Sequence, residues 1–158
     1  MIEERIGSIL RERGLRIAVA ESCTGGLIAN RITNIQGASD YFDMGFVTYS
    51  NDSKEAFLFV PEDVIATKGA VSSEVARAMA EGVREATRVD VALSVTGIAG
   101  PGGGSPEKPV GTVYIGLAAE SGAFVRKFLF NGDRISIKTQ TSEEALKMML
   151  DYLEGKVT

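Results

Sequence analysis

Apolar positions recur along this chain with two different spacings. Ile2, Ile6, Ile9 and Leu10 follow at three- and four-residue intervals. That is the spacing of one helix face, so residues 2–13 are expected to form an amphipathic helix that Gly14 ends. A continuous apolar run over residues 15–20 reads as a short buried strand, and residues 24–33 as a helix. Residues 42–49 read as a second strand. Asn51, Asp52 and Ser53 form a run of capping residues before a short helix that begins at Lys54. Residues 61–68 are expected to be a connector. Ser72 or Ser73 caps a longer helix with Val75, Met79, Val83 and Ala86 on its apolar face. Residues 89–96 read as a buried strand, and a glycine- and proline-rich loop follows over 97–109. Residues 111–119 and 124–130 read as a hairpin that turns through Glu120, Ser121 and Gly122. Asp133 is expected to cap a last helix with Ile137, Thr141, Ala145, Met148 and Tyr152 on one face.

Strands alternate with helices early, and a hairpin comes late. The pattern predicts the α/β class: a three-layer α/β/α sandwich around a mixed, mostly parallel sheet. The sheet must be mixed because a tight hairpin requires an antiparallel pair. No repeat, low-complexity tract or linker divides residues 1–158, so one domain is expected. A chain of 158 residues can bury roughly 68–70% of its unfolded surface, enough for a real core.

Charge and composition then remove whole classes of function. The net charge is −4 and no basic run exists, so the electrostatic footprint of nucleic-acid binding is missing. A small anionic ligand remains compatible with a few converging cations. The apolar runs are too short to span a bilayer, and the N-terminus carries no signal-peptide pattern. A cytoplasmic location without a membrane partner is therefore expected. Oligomeric state is left open, a homo-oligomer included. There is no histidine, which excludes Ser-His-Asp and Cys-His catalysis. Cys23 is the single cysteine, which excludes internal disulfides and cysteine-based zinc sites. No carboxylates carry metal-ligand spacing, so neither a metal nor a cofactor is expected.

Three stretches could carry chemistry. The first is Ala20-Glu21-Ser22-Cys23-Thr24-Gly25-Gly26, where a strand turns into a helix. Free backbone N–H groups at a helix start favour negative charge there. Ser22 suits either a helix cap or a nucleophile, while Cys23 has no histidine to activate it. The second is the loop from Thr96 and Gly97 through Gly100 and Gly102 to Ser105. It matches neither a Walker A loop nor a dinucleotide fingerprint, yet its glycines let backbone approach a ligand closely. The third is Lys54, placed near a helix N-terminus, where the helix field would lower its pKa and suit it to act as a base. Tyr49 lies just upstream, and Lys108 and Arg134 flank glycine-containing turns where either could pair with phosphate.

Together these motifs resemble a known family. The residues are 20–26, Val47-Thr48-Tyr49-Ser50-Asn51 with Lys54, Gly69-Ala70-Val71-Ser72, and Thr96 to Gly103. Lys108-Pro109-Val110-Gly111-Thr112-Val113-Tyr114 and Phe130-Asn131-Gly132-Asp133-Arg134 complete the series. In this order they are similar to the CinA C-terminal domain family, whose enzymatic members are PncC-type nicotinamide-nucleotide amidohydrolases. The resemblance covers nearly the whole chain and implies an α/β/α sandwich with a mixed sheet. It implies a stand-alone domain that hydrolyses the carboxamide of nicotinamide mononucleotide, giving nicotinate mononucleotide and ammonia. Ser22 would be the nucleophile, Lys54 its base and Tyr49 a near neighbour. The oxyanion would meet N–H groups at the start of the helix after Ser22. Thr24, Gly25, Thr96, Gly97, Gly100 and Gly102 would line the nucleotide, with Lys108 or Arg134 near its phosphate. Lys138 stands where the resemblance leads one to expect arginine, which keeps the charge but loses the bidentate fork. The alternative is a pyridine-nucleotide-binding module of the same family that does not turn its ligand over.

Overall fold

The computed structural model describes residues 1–156. The first helix, α1 (Ile2–Arg13), ends at Gly14 in the left-handed conformation, as expected. Strand β1 (Ile17–Glu21) leads through a five-residue turn to α2 (Leu27–Thr33). A single 3-10 turn at Ala38–Asp40 precedes β2 (Phe42–Val47). Next come α3 (Asn51–Leu58), α4 (Glu62–Lys68), α5 (Ser73–Thr87) and β3 (Val91–Gly97). The hairpin is β4 (Thr112–Ala119) and β5 (Gly122–Leu129), and α6 (Arg134–Leu153) closes the chain. Asp133 caps α6 by accepting the Ser136 N–H, and Ser72 caps α5 through the Val75 N–H.

Several local expectations needed adjustment. Residues 61–68 are not a connector: Glu62 and Asp63 in the first turn and Lys68 in the last favour the macrodipole of α4. α3 starts at Asn51 rather than Lys54, because the Ser50 hydroxyl accepts the Ser53 N–H. α2 starts at Leu27 rather than residue 24, because Gly25 and Gly26 take positive φ angles of 60° and 104° that a helix does not continue through. Ala86 lies exposed near the end of α5, past the buried stripe of Val75, Met79 and Val83.

The five strands are ordered β2-β1-β3-β4-β5. β1 pairs in parallel with both β2 and β3, and β3–β4 and β4–β5 are antiparallel. Only β4 therefore opposes the common strand direction. Side chains alternate across the sheet with period two. Ile17, Val19 and Leu93 face a core with Ile6, Leu10 and Ile28, completed by Ile137 and Met149 of α6. Ala18, Ala20 and Ala92 face the other side, against Leu58, Val75, Met79 and Val83. Thus α1, α2 and α6 cover one face, while α3, α4 and α5 cover the other. The alanines on the second face let α5 lie close: a Cβ at Gly116 would meet the Ala76 carbonyl. Among the described residues, no helix is long and apolar enough to cross a membrane.

The crossovers determine where a site can form. The β1-to-β2 connection runs over one face through α2. The β2-to-β3 connection runs over the other through α3, α4 and α5. The chain therefore parts at the carboxyl ends of β1 and β3, which lie side by side, and such a switch point leaves a crevice.

Candidate active site

The crevice holds a cavity of about 270 Å³. Ser22 and Cys23 from the turn after β1 line it, with Tyr49, Asn51 and Lys54 from the β2–α3 segment. Ala70 and Val71 contribute from the loop before α5, Thr96 to Gly100, Gly102 and Gly103 from the end of β3 and its loop, and Arg134 from the start of α6. Five segments distant in sequence thus meet at the carboxyl ends of β1 and β3.

Lys54 is 1% exposed although lysine is rarely buried. Its Nζ donates to the Ser22 Oγ at 3.0 Å, the Thr48 carbonyl at 2.7 Å and the Tyr49 carbonyl at 3.3 Å. Burial lowers its pKa from the ordinary lysine value to about 8, against a smaller opposing influence from Cys23. Desolvation, more than the field of α3, accounts for this shift. Ser22 is itself buried, and its N–H donates to the Val95 carbonyl at 3.2 Å, tying the turn to β3.

Ser22 is not the cap of α2; Gly26 occupies that position without any side-chain bond. Glu21, the last residue of β1, does the capping. Its carboxylate accepts the Thr24 hydroxyl at 2.6 Å and the N–H groups of Ile28 and Ala29 at 2.9 Å each. The first free amides of α2 are therefore taken, which corrects the expectation that they face an oxyanion. The N–H groups of Cys23 and Thr24 make no backbone hydrogen bond among the described residues. Glu21 stood in the sequence motif without a role; an acid just before a predicted helix start was the available signal.

The other expected residues divide. Thr96, Gly97, Gly100, Gly102 and Arg134 line the cavity with Ser22, Lys54 and Tyr49. Arg134 spans its rim, donating to the Gly100 carbonyl at 2.8 Å and the Tyr49 hydroxyl at 2.9 Å. Tyr49 is 60% exposed, and only its carbonyl reaches Lys54. Thr24 and Gly25 do not line the cavity: the Thr24 hydroxyl turns inward to Glu21, and Gly25 approaches Lys138. Lys108 lies away from it, its ammonium bonded at 2.7 Å to the Lys68 carbonyl at the end of α4. Asn51, Ala70 and Val71 line the cavity without having been singled out as ligands. The Cys23 thiol is buried and its pKa is pushed up to about 12, mainly by desolvation, so it carries no thiolate near neutral pH. Among the described residues no group of three metal-ligating side chains converges.

Comparison with known proteins agrees with this architecture. The profile of the CinA C-terminal domain family matches residues 1–153. A CinA-like protein of Citrifermentans bemidjiense is 55% identical over 157 residues, covering 99% of this chain and 38% of that protein. One from Geobacter sulfurreducens is 55% identical over 145 residues, covering 92% of this chain and 35% of that protein. The chain thus spans less than half the length of these relatives. The crystal structure of the competence/damage inducible protein CihA from Agrobacterium tumefaciens superposes with a TM-score of 0.93. It shares 43% identity over 97% of this chain and 93% of the other. A CinA superfamily protein from Escherichia coli gives a TM-score of 0.90 at 30% identity, over 96% and 90% of the two chains.

Proposed function

The chain belongs to the CinA C-terminal domain family, and within it we propose an amidohydrolase that deamidates nicotinamide mononucleotide with Ser22 as nucleophile and Lys54 as base. The observation that carries this reading is the buried contact of 3.0 Å between Lys54 Nζ and Ser22 Oγ. A buried lysine held on a serine hydroxyl, with its pKa brought down to about 8, is what an activated serine needs where no histidine exists.

The hydrogen-bond inventory supports both protonation states. An ammonium has three donors, and Lys54 has three acceptors around it. A neutral amine has two donors and one lone pair. With the Thr48 and Tyr49 carbonyls taking the two N–H groups, the lone pair faces the Ser22 hydroxyl. Neutral Lys54 accepts that proton as Ser22 Oγ attacks the carboxamide carbon. The oxyanion meets the N–H of Cys23, which lines the cavity and gives that N–H to no backbone carbonyl among the described residues. Lys54 then returns the proton to the departing ammonia, and water hydrolyses the acyl-enzyme. The positive pyridinium ring makes the amide carbon more electrophilic. The backbone of residues 97–103 lines the nucleotide and Arg134 approaches its phosphate. As a guanidinium it offers a fork that Lys108, engaged elsewhere, does not.

Incubating the purified protein with nicotinamide mononucleotide and measuring ammonia tests the reading. Ammonia released by wild type and not by Ser22→Ala supports it. Binding of the nucleotide without ammonia would favour the non-catalytic module instead.

A further inference from the structure

We propose that Glu21 is a positioning residue for Ser22, holding the turn after β1 in the one shape that aims the serine hydroxyl at Lys54. The proposal rests on Ser22 being the reactive group of the site.

Glu21 is 1% exposed, and no cation lies within ion-pair distance of it among the described residues. A buried carboxylate without a cation is retained only where hydrogen bonds compensate it. Its three donors all come from the segment just beyond Ser22: Thr24 Oγ1, Ile28 N–H and Ala29 N–H. The carboxylate therefore folds the chain back over its own next residues. Those residues need the restraint. Gly25 and Gly26 have positive φ angles and the most permissive backbone available. Local backbone bonds in the turn are few: Gly25 N–H to the Ser22 carbonyl and Leu27 N–H to the Thr24 carbonyl.

The main chain of Glu21 ties down the other partner. Its carbonyl accepts the Thr48 N–H at 2.9 Å, and the Thr48 carbonyl in turn accepts Lys54 Nζ. Ser22 follows Glu21 directly. One residue thus joins the nucleophile's turn, through its side chain, to the segment after β2 whose Thr48 carbonyl holds the base, through its backbone.

The test is the rate at which phenylmethanesulfonyl fluoride modifies Ser22 in the intact protein, followed by mass. Ser22 Oγ bonds to sulfur, the S–F bond breaks, and the serine proton leaves with fluoride through Lys54. Ser22→Ala gives the blank. Glu21→Gln keeps size but sets an NH₂ group against one of the amide donors. It should slow labelling roughly 10–100-fold, the scale of small misplacements of a reacting group. The midpoint of the rate-versus-pH curve should stay at its wild-type value, since the change is in aim and not in Lys54. A purely structural role would move the thermal midpoint and leave the labelling rate of the folded protein alone. Thr24→Val removes one of the three bonds and should slow labelling by a smaller factor, which carries the test if Glu21→Gln does not fold. Wild-type labelling rates in the folded variants would overturn the proposal. So would a shifted pH midpoint, which would make Glu21 an electrostatic partner of Lys54, or a wild-type Ser22 that the probe does not modify. Absence of ammonia release, with Glu21-dependent labelling intact, would remove the amidase reading alone.

Discussion

Lys54 Nζ lies 3.0 Å from Ser22 Oγ, although 32 positions separate the two residues in the chain. Ser22→Ala should abolish ammonia release from the mononucleotide while the protein stays folded. The hydroxyl caps no helix, so its loss removes one acceptor from Lys54 and little else. Near-normal turnover in the folded variant would rule out Ser22 as nucleophile.

Activity should rise with pH through an ionisation near 8, because the neutral lysine is the active form. Lys54→Met should remove that ionisation and lower kcat by roughly 10²–10⁴-fold. Lys54→Arg should fail almost as badly, since guanidinium keeps its proton. Stability shares the titration. The folded pKa lies below the unfolded one, so the folded state releases its proton first. Stability should rise between about pH 8 and 10.5, and the cost of the buried charge should be present in full below that window. Denaturant midpoints of wild type minus Lys54→Met across pH would show this; a flat difference would contradict a lowered pKa.

Cys23→Ala should keep most of the activity. A thiol with its pKa pushed up to about 12 is protonated at working pH. Iodoacetamide should also fail to modify the native protein at pH 8. A folded Cys23→Ala protein as inactive as Ser22→Ala would move the nucleophile to sulfur.

Arg134→Gln should raise KM for the mononucleotide and leave kcat close to wild type. The riboside, which lacks the phosphate, should show no such change. Equal losses on both compounds would mean that Arg134 serves the cavity's shape, through Tyr49 and the Gly100 carbonyl, and not the phosphate.

Gly82→Ala on α5 should displace α3, because a Cβ there would run into the Leu58 carbonyl. We expect a loss of about 1–3 kcal/mol of stability, the usual scale of overpacking. Turnover should fall with it, since α3 carries Lys54. Full activity together with full stability would show that α3 can move without disturbing the base.

Much of the fold was legible because it is written in local periodicity. The spacing of Ile2, Ile6 and Leu10 marked α1, and the stripe of Val75, Met79 and Val83 marked α5. The late hairpin required an antiparallel pair, and β4 supplies it. Helix ends were less legible where two signals competed. Residues 61–68 read as a connector, yet the acids after Pro61 start α4. Gly25 and Gly26 sat inside an expected helix, and their positive φ angles delay α2 to Leu27.

The sequence by itself determined which chemistries were open: no histidine, one cysteine, and a serine, a lysine and a glycine-rich loop in recognisable motifs. It could not determine where those side chains point. Thr24 and Gly25 share a motif with Ser22 but do not line the cavity, and Lys108 spends its charge on the end of α4. Glu21, given no role in the sequence motif, holds the helix for which Ser22 was one candidate cap. The physical reason is that direction and burial are properties of packing. Only the opposite crossovers from β1 and β2 bring Lys54 under the turn, exclude water from its ammonium, and leave it three acceptors, one of them the Ser22 hydroxyl.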